Sequence, residues 1–398
     1  MAGYRIRDEM NDIEEAPGKV WFWELGAAVI DADRCVQCGT CVAACPSDSI
    51  GIGDNGLPKL VKMCTGCSLC WDFCPRGGLR HEATWALGPK ITGAQGPHVT
   101  LEDVPERWSA RVRPALRGVQ DGGVVSALLI ALLAAGDIDG ALVARESPTE
   151  RWKGEAFLAR TRAEVLDCAG SFYNQTMALG HLDLKGLDLP PEPRIAVVGT
   201  PCEIEGIKAM QARPWSWGSA RVEAVVLTIA LLCTKSFNYE KLMVEEIQRR
   251  RGIPLARVGR VDVIRGKLIV EDTTGEVLVE EPIRDFHGAA LKGCDECADF
   301  LGNGADLSVG SVGSPDGWSS VLVRTAAGQA AFDRVRDRLE LAELDRPEAL
   351  EKLDALDKRV AFKSLRRPFD PDAPLFIDYS EHLRQYEGSD RAPVVRDR

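Results

Sequence analysis

The sequence predicts a protein of mixed α+β and α/β class, in which a small cysteine-rich domain precedes a larger α/β domain that contains an antiparallel meander. Three observations lead to this prediction. Two cysteine-dense segments lie before residue 76, strand and helix patterns alternate from about residue 111, and glycine turns separate strand-like runs after residue 259. With 398 residues, the chain is long enough to form two or three domains.

The composition is typical of a globular protein, because 45% of the residues are hydrophobic and 27% are charged. A net charge of −11 argues against a nucleic-acid partner, since binding to phosphates needs a positive surface. The longest apolar runs, Val124–Ala135 and Ala224–Cys233, are too short to span a bilayer. Near the start we find no basic segment followed by an apolar one, so we expect no export. Thirteen cysteines in such a chain favour a cytoplasmic location, where thiols stay reduced and bind metals.

The two cysteine segments share the spacing C-x2-C-x2-C-x3-C-P and predict two [4Fe–4S] clusters. In this arrangement the fourth cysteine of each motif binds the other cluster. A zinc module is the alternative, but zinc sites usually show paired C-x2-C knuckles. The segment between the motifs fits the strand and turn of a bacterial ferredoxin, so residues 1–84 are predicted to be a ferredoxin-like domain. The predicted ligands are Cys35, Cys38, Cys41 and Cys74 for one cluster, and Cys64, Cys67, Cys70 and Cys45 for the other.

The rest of the chain predicts an α/β domain. Residues 85–110 begin with a stretch rich in Gly and Pro and are predicted to be a linker. Within residues 111–335, "GGVVSALLIALLAAG" predicts a helix that ends at Gly136, and "RIAVVGTPCEIEGIKAM" predicts a strand, a turn and a helix. "RVDVIRGKLIVEDTTGEVLVEE" predicts the antiparallel meander. Residues 336–398 are predicted to be a charged helical and then Pro-rich tail.

Five further cysteines lie outside the two motifs. Cys202 is predicted to lie in the first turn of a helix capped by Thr200, where the helix dipole would lower its pKa. Cys233 ends a predicted strand, and Cys294 and Cys297 form a C-x2-C knuckle, so the four can converge at one sheet edge. Spacing alone leaves open a third [4Fe–4S] cluster, a structural zinc, or a knuckle with two unrelated thiols. Cys168 has no partner pattern and is predicted to be a core thiol.

The sequence also limits which nucleotides it can bind. We find no G-x-G-x-x-G between a strand and a helix and no G-x-x-x-x-G-K-[ST], which disfavours a Rossmann-bound NAD enzyme and an ATP-driven one. The best phosphate cradle is "QDGGVVSALL", where Gly122 and Gly123 precede the free amides of a helix. The same stretch also fits an ordinary loop that leads into a core helix.

Together, these segments resemble a known family. "QDGGVVSALLIALLAAGDIDGALV", "GTPCEIEGIK", "LLCTKSFNY" and "GCDECADFLGNGADLSVGSVGS" are similar, in this order, to the beta subunits of coenzyme F420 hydrogenases and dehydrogenases. The resemblance implies that the α/β domain is flavin-binding, with FAD and one [4Fe–4S] cluster on Cys202, Cys233, Cys294 and Cys297. The expected cofactors are therefore three [4Fe–4S] clusters and FAD, with coenzyme F420 as a substrate.

The implied activity is that of an oxidoreductase that passes electrons between a redox partner and F420, with hydride transfer between FAD and F420. The partner would be a hydrogenase, a dehydrogenase or a ferredoxin-like protein. Two alternatives are a reductase of another organic substrate, such as a tetrapyrrole, and a non-catalytic electron-relay subunit. No residue is required as a general acid or base. The implied flavin contacts are Gly122, Gly123, Val124, Ser126, Ser171, Asn174, Thr200 and Lys235, of which the lysine fits equally well as a solvated side chain.

Overall fold

The structure is a computed structural model, and it describes residues 20–77, 100–116, 118–212 and 218–365. Most of the predicted linker and the Pro-rich end of the predicted tail lie outside the described residues. The strands are β1 (Ile50–Ile52), β2 (Pro58–Leu60), β3 (Glu106–Val112), β4 (Gly140–Glu146), β5 (Gly154–Ala159), β6 (Ile195–Gly199), β7 (Val225–Leu231), β8 (Val258–Ile264), β9 (Lys267–Asp272), β10 (Val277–Pro282), β11 (Leu307–Gly310), β12 (Ser319–Val323) and β13 (Leu339–Ala342). The α-helices are α1 (Phe22–Leu25), α2 (Thr40–Ala43), α3 (Leu69–Asp72), α4 (Val124–Ala135), α5 (Arg162–Asp167), α6 (Pro201–Ala212), α7 (Ala326–Asp333) and α8 (Pro347–Leu365), and Glu240–Arg250 is a π-helix.

The N-terminal domain consists of two similar halves, each with a cysteine loop that leads into a short helix. Gly39 before α2 and Ser68 before α3 both adopt the left-handed conformation, with φ of 83° and 68°. This conformation lets each loop turn tightly before its helix begins. Strands β1 and β2 form an antiparallel hairpin between the halves, and Ile50 and Trp71 are buried beside the cysteines. The domain is therefore ferredoxin-like, as predicted.

An eight-stranded sheet forms the centre of the larger domain, with the strand order β13-β3-β12-β11-β7-β6-β4-β5. Strands β4, β6, β7 and β11 are parallel, and the outer strands are antiparallel. Side chains alternate between the two faces of a strand, so Ala196 packs with α4 while Val197 packs with α6. Both faces of the sheet are thus covered by helices, which gives a mixed α/β architecture.

Strands β8, β9 and β10 form a separate antiparallel sheet. The turn between β8 and β9 contains Arg265 and Gly266, which both have positive φ. The π-helix packs its buried residues Leu242 and Ile247 against this sheet, in a core that also contains Val270. This small sheet provides one wall of the candidate cofactor cleft described below.

Several local predictions agree with the structure. Helix α4 ends at a left-handed Gly136, which caps the carbonyl groups of the last turn. The strand, turn and helix predicted around Thr200 are present as β6 and α6. None of the described helices is long and apolar enough to cross a membrane.

The two ends of the predicted α/β domain differ from the structure. Strand β3 begins inside the predicted linker 85–110. Strand β13, inside the predicted tail, pairs with β3 in the main sheet. The predicted domain boundaries at residues 110 and 335 are therefore wrong, since long-range pairing recruits polar segments that lack a strong strand pattern.

The two domains share a core. Phe73 of the N-terminal domain packs with Ile204 and Ile207 of α6. The amide of Leu179 donates to the Cys38 carbonyl oxygen at 3.3 Å. A Cβ at Gly39 would lie 2.5 Å from the Gly180 nitrogen, so only glycine allows this approach. This packing holds the first cysteine loop against the turn Ala178–His181 and the second motif against α6.

Candidate iron–sulfur and cofactor site

The eight motif cysteines lie in two groups with crossed membership. Burial raises the pKa of Cys41 well above its usual value, and the neighbouring thiols of Cys35, Cys74 and Cys38 raise it further. We call these four cysteines the inner group. The pKa of Cys70 is raised in the same way, by burial and by the thiols of Cys67, Cys64 and Cys45. We call Cys70 and these three cysteines the outer group. Cys70 also has a smaller effect on Cys41, and Cys74 on Cys70, so the two groups adjoin and the predicted ligand sets stay a prediction.

Backbone amides point at the sulfur atoms of both groups. Such donors stabilise thiolate, which is the form that binds iron. All thirteen cysteines are free, so no disulfide competes for these sulfur atoms. The residues present therefore fit iron–sulfur clusters. The amide-to-sulfur distances are 3.4 Å for Gln37 to Cys35, 3.2 Å for Ser49 to Cys45, 3.3 Å for Gly66 to Cys64 and 3.4 Å for Arg76 to Cys74.

The outer group faces solvent. Cys67 is exposed, and the neighbouring Met63 has 84% of its surface exposed. In the inner group, Cys38 and Cys41 are buried. The outer group is therefore the more accessible of the two.

A third group of thiols lies beside the inner group. Cys202 packs with Cys38 and Cys294. Burial raises the pKa of Cys233 well above its usual value, and the thiols of Cys294 and Cys297 raise it further. The amide of Ser236 donates to the Cys294 sulfur at 3.4 Å. The first turn of α6, the end of β7 and the knuckle thus bring the four cysteines together.

Two observations concern the chemistry of this third group. Burial raises the pKa of Cys202 well above its usual value, so the pKa lowering that we predicted from the helix terminus is wrong. The effect of desolvation on the pKa of Cys202 outweighs that of the partial positive charge at the helix terminus. A thiolate in this buried position therefore needs a full positive charge nearby. Among the described residues, no group of three or more His, Cys, Asp or Glu is placed to hold a single metal ion.

Cys168 is not part of these groups. It ends α5, half-buried, and packs against the main core. Burial raises its pKa to about 11, which favours the neutral thiol. Its surroundings support the predicted core role.

An arginine that we did not single out in the sequence joins the N-terminal domain to the knuckle. Arg34 donates twice to the Glu296 carboxylate, at 2.7 Å for each bond. It also donates to the carbonyl oxygens of Ala28 and Arg76. Glu296 lies between Cys294 and Cys297 in sequence, so this ion pair positions the knuckle against the inner group. The two partners are 262 residues apart, and no sequence signal connects them.

The implied flavin contacts lie on two neighbouring loops and on the knuckle side of the sheet. Gly118 lies against Ala169, so the loop before α4 touches the loop that contains Ser171. The Gly122 amide donates to Ser319 Oγ at 3.1 Å. Gly123 has a φ of 70° at the N-cap of α4. In the first turn that follows, Val124 is buried in the core and Ser126 is half-buried.

A glutamine links the remaining implied contacts. Gln175 Nε2 donates to Thr200 Oγ1 at 3.0 Å and to Ser236 Oγ at 2.8 Å. The adjacent Asn174 is held by both backbone groups of Gly154. Lys235 forms an ion pair with Asp295. The sequence suggested either a flavin contact or a solvated side chain for this lysine, and it did not indicate this pair. Gln175 thus ties this loop to the third thiol group, and the sequence analysis did not identify it.

A cleft lies where these loops meet β8. Ser171, Tyr173, Asn174, Phe237 and Val261 are among the residues that line it. Gln120 donates to the Val261 carbonyl oxygen, so the loop before α4 also touches this strand. The cleft is therefore lined largely by aromatic side chains and lies next to the loop that leads into α4.

Two charged residues of β8 lie close to this cleft. Arg260 donates to Asp262 at 2.7 Å, while its buried Nε has no hydrogen-bond partner within the described part of the chain. The Arg260 side chain as a whole is 37% exposed, so its guanidinium is accessible to an anionic group. Burial raises the pKa of Asp121 to about 6, and the charge of Asp262 raises it further.

Comparison with known families defines the class of protein. Residues 28–80 match the 4Fe-4S dicluster domain family. Together with the two crossed thiol groups, this match defines an iron–sulfur protein. Residues 107–183 match the N-terminal region, and residues 193–347 the C-terminal region, of the coenzyme F420 hydrogenase/dehydrogenase beta subunit.

Individual relatives agree with this result. One component of the F(420)H(2) dehydrogenase of Methanosarcina mazei is 31% identical over 81% of this chain and 88% of its own length. The coenzyme F420-dependent sulfite reductase of Methanocaldococcus jannaschii is 31% identical over 87% of this chain, which spans only about half (52%) of that protein. One chain of the F420-reducing [NiFe] hydrogenase complex from Methanosarcina barkeri is similar in structure, with a TM-score of 0.63 at 28% sequence identity. The match covers 69% of the present protein and 96% of the hydrogenase chain. The protein belongs to the family of coenzyme F420 hydrogenase/dehydrogenase beta subunits, which are F420-related components of iron–sulfur oxidoreductases.

Proposed function

We propose that this protein passes electrons between a redox partner protein and coenzyme F420 through three [4Fe–4S] clusters and FAD, with hydride transfer between FAD and F420. The observation that carries this proposal is the packing of Cys38, in the inner group, against Cys202, in the third group. Three thiol groups therefore adjoin one another in the order outer, inner and third. Adjacent groups of this kind support a path for single electrons from the surface toward the sheet.

The outer group is the proposed point of contact with the partner, because Cys67 is exposed there. The third group is the proposed connection to FAD, because Ser236 contacts both Cys294 and Gln175 of the cleft loop. Hydrogen bonds thus lead from the Cys294 sulfur through the backbone and side chain of Ser236 to Gln175, which lies next to the cleft. This continuity favours electron exchange between the two sites.

FAD, when bound, exchanges single electrons with iron–sulfur clusters and electron pairs, as hydride, with F420. The Gly123 amide, at the start of α4, and the Arg260 guanidinium are suited to its phosphates, while the Gly122 amide is already bonded to Ser319. Asn174 and Thr200 are held in place by their own hydrogen bonds and so offer fixed polar groups. The aromatic side of the cleft excludes water from the site of hydride transfer.

The proposal predicts about twelve iron atoms and one FAD per chain, since four cysteines hold each four-iron cluster. Iron, acid-labile sulfide and released flavin are measured in anaerobically purified protein. The reduced protein is then mixed with F420, and loss of the deazaflavin absorbance reports hydride transfer. Reduction of F420 supports the enzyme, whereas bound flavin without F420 turnover favours the electron-relay alternative.

Cys294→Ser tests the third cluster directly. It should lower the iron content from about twelve to about eight atoms per chain and leave the ferredoxin-type signals in place. The matched control is Cys168→Ser, which alters a half-buried thiol outside the three groups and should leave the iron content unchanged. About eight iron atoms in the parent protein, with no change in Cys294→Ser, would reject the third cluster.

A further inference from the structure

A buried arginine lies between the inner and third thiol groups. Arg76 follows the Cys74-Pro75 end of the second motif, and only 1% of its surface is exposed. Its Nε donates to the Gly293 carbonyl oxygen at 2.5 Å, and its Nη1 donates to the Pro75 carbonyl oxygen at 2.7 Å. The guanidinium thus bridges the residue after Cys74 and the residue before Cys294.

The backbone around Arg76 is part of the same junction. Its amide donates to the Cys74 sulfur at 3.4 Å, and its carbonyl oxygen accepts from Arg34 at 2.9 Å. A Cβ at Gly293 would lie 2.0 Å from the Arg34 carbonyl oxygen, so the knuckle approaches this segment as closely as the backbone allows. Arg76 is therefore fixed in position from both domains.

The charge of Arg76 acts on thiols of both groups. The guanidinium is held between Cys74 and Cys294, and a cation close to a sulfur atom favours its negatively charged form. The Glu205 carboxylate also interacts with this guanidinium and offsets part of its charge. A cation in this place stabilises negative charge on either side of it.

Clusters gain negative charge when they are reduced, and charges nearby contribute to their reduction potentials. In a buried site the Coulomb interaction is stronger than in water, because little solvent screens it. Arginine is suited to this role, since it stays protonated even when buried. The acidic chain otherwise opposes reduction, with its net charge of −11.

We propose that Arg76 is a positioning residue that holds a buried positive charge between the inner [4Fe–4S] cluster and the third cluster and favours the reduced form of both. The proposal rests on the proposed function, which supplies the third cluster. Each reduction adds one electron to one cluster, here from dithionite, and no proton is transferred. Without this charge, both clusters are harder to reduce.

The test is an anaerobic redox titration followed by electron paramagnetic resonance, with iron content measured in parallel. Arg76→Gln should lower the equilibrium constant for reduction of both clusters by tenfold or more, which corresponds to about 59 mV per decade for one electron. Arg76→Lys keeps the charge and should stay within about threefold of the parent protein. The control is Lys292→Gln, which removes a cation beside the knuckle. The Lys292 side chain is 69% exposed, so this change should leave the reduction potentials of both clusters unaltered.

Each outcome decides the proposal. Unchanged potentials in Arg76→Gln with full iron content would overturn it, and so would a tenfold shift in Arg76→Lys. If Arg76→Gln fails to retain iron, the reduction potentials of Arg76→Lys decide the proposal alone. A tenfold shift in the equilibrium constant for reduction in that variant would overturn it. If the parent protein contains only about eight iron atoms, the third cluster of the proposed function fails, while the shift of the inner cluster still tests Arg76.

Discussion

Arg34→Gln should destabilise the junction between the two domains more than any surface ion pair can. Arg34 donates to both carboxylate oxygens of Glu296 and to the carbonyl oxygens of Ala28 and Arg76. Its side chain is 15% exposed and that of Glu296 is 2% exposed, so solvent screens the pair only weakly. Glutamine would remove the Arg34 charge from the buried Glu296 carboxylate.

The expected cost follows from this burial. Removing one partner of a buried ion pair costs about 3–5 kcal/mol, because the other charge stays desolvated. For a domain of about 150–250 residues, 1 kcal/mol corresponds to about 2–4 °C in the melting temperature, so a decrease of about 6 °C or more is expected. The control Arg250→Gln removes an ion pair with Glu246 in which the arginine is 70% exposed, and exposed pairs contribute only about 0.2–1 kcal/mol.

The assay is thermal unfolding of the anaerobic protein, followed by circular dichroism, for Arg34→Gln, Glu296→Gln and the double variant. If the ion pair acts as described, the double variant loses less than the sum of the single variants, because they share one interaction. Additive losses, or equal decreases in Arg34→Gln and Arg250→Gln, would refute the argument.

Three further predictions concern the candidate site and the fold. The pKa of Asp121, raised to about 6, favours its neutral form in the fold, so its contribution to stability is present below about pH 4 and is lost as the pH rises to about 6. In Asp121→Asn, the decrease in unfolding free energy between about pH 4 and about pH 6 should be smaller by about 1–2 kcal/mol than in the parent protein, as measured by urea unfolding at both pH values. An unchanged pH profile would contradict this prediction. Cys67→Ser should abolish electron uptake from a reduced ferredoxin and lower the iron content by about four atoms, whereas a full complement of iron would exclude Cys67 as a ligand. Gly123→Ala and Gly136→Ala should each lower the unfolding free energy by about 1–2 kcal/mol, because both glycines have positive φ. Gly123→Ala should cost more, because its Cβ would lie 3.0 Å from Val112. Equal costs would contradict the packing argument.

Local features of the site could be predicted from the sequence. Ligand type and spacing within one motif determine which thiols share a cluster, so the crossed pairing of Cys45 and Cys74 agrees with the observed groups. Helix ends could be predicted for the same reason, since the glycine that caps α4 acts only on its own last turn. The wrong domain boundaries come from the opposite case, because β13 is a strand only through its pairing with β3.

The sequence by itself determined the two cysteine motifs, the strand, turn and helix around Cys202, and the family to which the chain belongs, because each depends on neighbouring residues or on the order of motifs. Only the tertiary structure brought Arg34 to Glu296 and Arg76 to Gly293, across separations of 262 and 217 residues. Such contacts depend on how two domains pack, and a charged side chain in a sequence does not indicate whether it will be solvated or buried. The structure therefore decided which cations lie between the thiol groups, and with them the electrostatic environment of the proposed clusters.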